Sequence, residues 1–138
     1  MAVVAFTNAQ VTIGGTDLSD HVREVTIDDG VVELTDTVMG DTAESLMGGL
    51  KRWTITVKLL QDYAASKTHE VLRPLVNTNV ALIIRPANAA RSGTNPEWQA
   101  TGFLSAYTPL MGAVGTLQEP SVVFKNSGSG ISCLTAAT

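Results

Sequence analysis

The 138-residue chain is predicted to be mainly β: an antiparallel two-sheet sandwich or barrel of about seven strands, with one α-helix on its flank. Three observations predict it. Trp53, Ile55, Val57 and Leu59 alternate with Thr54, Thr56 and Lys58, the period of a half-buried antiparallel strand. Similar short runs recur along the chain, separated by stretches rich in Gly, Pro and Asn. Only residues 66–76 carry apolar residues at helical spacing, at Val71, Leu72, Leu75 and Val76.

Taken in order, the small apolar stretch Met1 to Phe6 is expected to dock on something. Gln10–Ile13 reads as a short strand stopped by Gly14-Gly15, and Thr16 to Asp20 as a turn-rich link. Val22 to Asp28 alternates, with Val25 and Ile27 on one side. Asp28-Asp29-Gly30 carries a tight-turn signal. Val31 to Val38 would then return as the second strand of a hairpin, with Val32 and Leu34 joining Val25 and Ile27 in the core. Glu24, Thr26, Asp28, Glu33 and Thr35 are left on an acidic, hydroxyl-rich opposite face. Residues 39–49 form a long loop without strand period, and Met39, Leu46 and Met47 in it are suited to docking on a partner.

The strand from Gly49 to Leu59 supplies the central core face. The helix, with Ser66 as N-cap, lays Val71, Leu72 and Leu75 over it, and Pro74 distorts or ends that helix. Val80–Arg85, Trp98–Tyr107 and Leu117–Phe124 complete the strands, Pro120 marking an edge or a bulge. One domain, 1–138, is expected.

Charge is unevenly distributed. Residues 1–50 carry nine acids against one base, Arg23, whereas residues 51–138 carry eight bases against four acids. Such halves can attract copies of the chain head to tail, or be two unrelated solvated faces. Hydrophobic residues make up 44% and charged residues 16%, as in a surface partly covered by other subunits. The apolar start is too short for a signal peptide, and no run approaches the roughly 20 apolar residues of a membrane span.

Residues for chemistry are sparse. His21 and His69 lack metal-ligand spacing, and Asp17, Asp20 and His21 read better as a polar turn than as a cation site. Cys133 has no neighbouring base. Gly112-Ala113-Val114-Gly115 and the Gly128/Gly130 pair lack the lysine of a phosphate loop. Lys51-Arg52-Trp53 in an acidic protein reads as a strand edge, not a nucleic-acid module. No enzyme activity and no cofactor are expected.

The order of these pieces resembles the major tail tube proteins of long, flexible-tailed bacteriophages of the siphovirus type. The resemblance rests on Val11 to Val22, on Met39-Gly40-Asp41-Thr42, on Gly49 to Trp53 leading into Gln61-Asp62-Tyr63, and on Arg85-Pro86 to Pro96. It implies a structural virion protein whose hexameric rings stack into a helical tube. That tube would deliver DNA into the host without binding it specifically, and would be assembled in the bacterial cytoplasm without membrane contact. Tape measure, tail terminator and tail tip proteins are the implied partners. Glu24, Thr26, Asp28, Glu33 and Thr35 would line the lumen. Met39, Asp41, Thr42, Glu44, Leu46 and Met47 would reach a neighbouring subunit or ring. Residues 1–9 and 126–138 would be bracing arms, with no immunoglobulin-like domain after Thr138. A head–tail joining, terminator or capsid decoration protein remains the alternative within this class. A monomeric β-sandwich binding module is the alternative outside it.

Overall fold

The computed structural model describes residues 9–87, 89–90, 92–110, 112–128 and 130–135. Met1 to Phe6 lie outside the described residues. Among the described residues there are eight strands and one short α-helix: β1 Gln10–Ile13, β2 Thr16–Asp17, β3 Val22–Thr35, β4 Leu46–Leu59, α1 Thr68–Leu72, β5 Asn79–Arg85, β6 Glu97–Tyr107, β7 Ser121–Asn126 and β8 Ser132–Leu134. The strands form one sheet in the order β2-β1-β5-β6-β7-β4-β3, with β8 pairing β6. All these pairings are antiparallel. The sheet folds over on itself, so that Val25 and Ile27 of β3 share one cleft with Ile84, Pro86 and Trp98 from the β5–β6 region. The mainly β sandwich fold expected from the sequence is therefore present, its two halves joined in one continuous sheet.

One apolar cluster fills the fold. It includes Val11, Ile13, Trp53, Ile55, Val57, Leu59, Leu72, Leu82, Leu104, Val122 and Phe124. Each such side chain contributes about 1.5–3 kcal/mol on burial. Alternation places these residues without exception along the second half of β4, where Trp53, Ile55, Val57 and Leu59 are all buried. Trp53 lies against Gly102 of β6, and a Cβ at Gly102 would overlap both the indole and the Lys125 carbonyl. Any side chain there would push the two strands apart.

The helix is shorter than its pattern. Five α-helical residues end at Leu72, and Arg73–Leu75 continue as a 3-10 turn containing Pro74, which lacks the N–H needed to continue an α-helix. Leu72 is fully buried, while Val71 and Leu75 are partly buried against the core. Ser66 is not the N-cap. Lys67 holds that position without a side-chain bond, and Ser66 adopts φ 60° while its N–H donates to Glu70 (3.0 Å). Thr68, fully buried, donates its hydroxyl proton to the Leu60 carbonyl (3.0 Å). The helix is thereby tied to the end of β4.

Several other expectations are corrected. Asp28-Asp29-Gly30 does not turn: β3 runs straight through it, paired with Thr54, Trp53 and Arg52 of β4. The hairpin turn lies at residues 36–45 instead, and Leu46 to Gly49 belong to β4. Val32 and Leu34 are not core residues, being 37% and 48% exposed. The strand expected at Leu117–Phe124 begins only after Pro120, as β7, and is followed by a further strand. Ser132–Leu134, within the expected C-terminal arm, pair with Glu97–Gln99 in this chain's own sheet.

Candidate assembly surface

β3 and β4 pair along their whole lengths, but β7 pairs β4 only over Thr54–Lys58. Beyond Thr54 the two strands continue as a ribbon with no third strand among the described residues. A bulge sits within it: Val31 faces Lys51 and Glu33 faces Gly48, so Gly49 and Leu50 together oppose Val32. At Gly49 a Cβ would come within 3.0 Å of the Val32 carbonyl oxygen, so the close approach of the strands at the bulge favours glycine. The ribbon exposes Val31, Val32, Leu34, Leu46, Met47 and Leu50, the last at 84%. An apolar surface of this kind is a mark of an interaction site.

The loop at the ribbon tip is tightly bonded. Asp36 N–H donates to the Ser45 carbonyl (3.0 Å), and Ser45 N–H donates to the Thr37 hydroxyl (2.7 Å). Val38 N–H donates to the Asp41 carboxylate (2.8 Å), and Asp41 N–H returns a bond to the Val38 carbonyl (3.1 Å). Gly40, at φ 101°, takes the left-handed position of this turn. Met39 at its apex is fully exposed, and Thr42 and Glu44 are exposed beside it. Asp41 thus has a structural role within the loop.

The residues expected to share one polar face are divided. A continuous strand alternates without interruption, so Glu24, Thr26 and Asp28 lie on one face of β3, while Glu33 and Thr35 lie on the other. An intervening turn would have reset this parity. All five are exposed. The face bearing Glu24, Thr26 and Asp28 is not acidic as a surface. By register it also carries Arg52, Thr54, Thr56 and Lys58 of β4 and Lys125 of β7. Lys58 Nζ lies 3.4 Å from Glu24. The basic half of the sequence is laid beside the acidic half within one subunit, a cross-strand complement that β3 read by itself does not reveal.

Elsewhere, Arg85 meets the buried Glu97 at 2.6 Å and donates to the Ala89 carbonyl (3.0 Å). Asn95 donates to the carbonyls of Ala87, Ala89 and Ala90, shaping the loop between β5 and β6. Among the described residues no three His, Cys, Asp or Glu side chains come together as a metal site. Cys133 is exposed on β8. No helix among them is long and apolar enough to cross a membrane.

No protein-family model and no curated protein matches the chain by sequence. Solved structures do match in fold. A chain from the virion of a native gene transfer agent particle aligns at a TM-score of 0.66 and 12% identity, over 93% of this chain and 96% of that one. A chain from the tail of an empty gene transfer agent particle with C6 symmetry aligns at 0.60 and 15% identity, over 84% and 83%. The chain is similar over nearly its whole length to virion and tail subunits, and it shares their fold.

Proposed function

We propose that this protein is a structural tail subunit of a phage-like particle, forming six-membered rings that stack into a tube for genome delivery. The observation that carries this reading is the β3–β4 ribbon. It combines an outer edge left unpaired among the described residues with an exposed apolar surface, on a fold shared with a subunit of a six-fold symmetric tail. Such an edge is a template for pairing with another chain. In this reading Leu34, Leu46, Met47 and Leu50 pack on the next subunit, and Met39 at the loop tip, flanked by Thr42 and Glu44, reaches a neighbouring subunit or ring. Residues 1–9 and the final residues of the chain brace adjacent copies, and terminator, tape measure and tip proteins meet the ends of the tube.

The lumen in this reading is lined by Glu24, Thr26 and Asp28, together with their neighbours Thr54, Thr56, Lys58 and Lys125. Glu33 and Thr35 leave the lumen set because they lie on the other face. The conduit is then a hydrated wall of hydroxyls and mutually neutralised charges, not a repelling acidic one. A lysine already beside a carboxylate gains less from a phosphate, so DNA slides past with little counterion release.

Negative-stain microscopy of the purified chain at rising concentration should show six-fold rings and tubes. Met47→Ser with Leu50→Ser should leave the circular dichroism spectrum unchanged and abolish the tubes. A wild-type chain that stays monomeric, or a double variant that assembles normally, overturns the reading. Reconstruction of the tube with Glu24 and Asp28 on its outer wall would overturn the lumen assignment alone.

A further inference from the structure

The open end of the β3–β4 hairpin, where Val22 pairs with Leu59, contains a second polar arrangement. His21 closes the 3-10 turn Ser19–His21 immediately before β3, and its side chain is 15% exposed. Its Nδ1 lies 2.8 Å from the Asp20 carboxylate and its Nε2 3.0 Å from the Asp62 carboxylate. Asp62 belongs to the linker between β4 and α1, so the imidazole ring joins two segments distant in sequence. Backbone bonds surround this junction. Leu60 N–H donates to the His21 carbonyl (2.7 Å), and His69 N–H donates to the Asp62 carbonyl (3.1 Å). The Asp62 carboxylate also accepts from Ala64 N–H (2.9 Å).

We propose that His21 is a proton-operated clamp fixing the open end of the β3–β4 hairpin to the α1 flank, closed while its ring bridges Asp20 and Asp62. An imidazolium has two N–H donors and a carboxylate none, so only the charged ring satisfies both contacts. When the proton leaves, one ring nitrogen turns a lone pair toward a carboxylate oxygen, and that contact becomes repulsive.

The groups facing the ring are Asp20 from its own turn and Asp62 from the linker. Lys67, at the start of α1, acts on both carboxylates. Arg23, two residues along, is occupied by Glu119 at 3.0 Å. The His69 ring turns toward the Tyr107 hydroxyl (3.0 Å). The hydrogen bond to Asp20, then that to Asp62, raises His21 above the ordinary imidazole value against a smaller opposing effect of burial. The bond from His21 lowers Asp20. Asp62 is lowered first by Ala64 N–H and then by His21.

The signs agree. A raised histidine stabilises fully below its unfolded value, and that contribution is lost as pH rises through the folded value. The lowered carboxylates contribute above their unfolded value and lose that contribution as pH falls through the folded one. The clamp is therefore closed from the carboxylate range up to beyond the usual histidine range.

The test is independent of any tail role and uses the full chain at a concentration where it is monomeric. NMR titration of the two imidazoles, assigned with His69→Gln, should give His21 a midpoint above that of an unfolded-peptide histidine. Amide exchange at Leu60 and Ala64, corrected for intrinsic rate, should accelerate across the same pH range. Asp62→Asn keeps an oxygen for Ala64 N–H but removes one charge, and should lower the His21 midpoint. Should that variant fail to fold, Asp20→Asn provides the same comparison. A His21 midpoint at or below the ordinary value, one insensitive to the carboxylate substitution, or exchange that is flat through the midpoint would each overturn the clamp.

Discussion

Within β4, Trp53–Leu59 buries every second residue, whereas Leu46–Arg52 buries none. Both halves contain large apolar side chains and both pair with β3. They differ in what lies beside and above them. The second half has β7 as its other neighbour and shares the buried apolar cluster with Leu72, Leu104 and Phe124. Among the described residues the first half pairs with β3 alone, because β7 ends at Asn126, where the side chain donates to the Lys51 carbonyl (3.4 Å). Two strands are too few to bury a face, and an isolated hairpin is marginal in water. Alternation therefore reports a strand, while burial requires a covering layer that the strand does not encode.

Three substitutions can break or sharpen this contrast, each measured by urea unfolding of the monomer. The largest effect is expected in the covered half, where Ile55→Ala should cost about 2–5 kcal/mol. A loss below the range of an ordinary surface substitution would remove the distinction between the halves. Gly102→Ala should cost about 1–3 kcal/mol by overpacking, and Trp53 fluorescence should shift as the indole is displaced. An unshifted spectrum would mean that the strands separate without moving the ring. The smallest effect is expected in the ribbon, where Leu50→Ser should stay within about 0.5 kcal/mol of wild type although it removes an apolar side chain. A larger loss would show that Leu50 is already covered within the subunit.

Much of the fold was legible along the chain because it rests on short-range periodicity. Gln10–Ile13 and the strands containing Val80–Arg85 and Trp98–Tyr107 emerge close to their predicted bounds. Pro74 ends α1 for the reason given by its missing N–H. The Trp53, Ile55, Val57 and Leu59 face is inward as its alternation requires. The apolar Met39, Leu46 and Met47 are exposed, and two of the three lie in a strand, not in the expected loop.

What the sequence by itself determined was which residues alternate, and so which side chains share a face of each uninterrupted strand. Tertiary structure alone decided where β3 turns back into β4 and what stands beside each strand. Asp28-Asp29-Gly30 has a good local turn signal, yet a turn there would forfeit the continuous pairing of β3 with β4, and the long-range ladder prevails. Gly30 consequently keeps φ out of the left-handed region. The same continuity separates Glu33 and Thr35 from Glu24, Thr26 and Asp28, and the β4 and β7 register brings Lys58 and Lys125 onto the latter face. The junction at His21 depends on Asp62, 41 residues away. Local propensity acts over a few residues, whereas sheet register and charge partners arise from segments brought together only by folding.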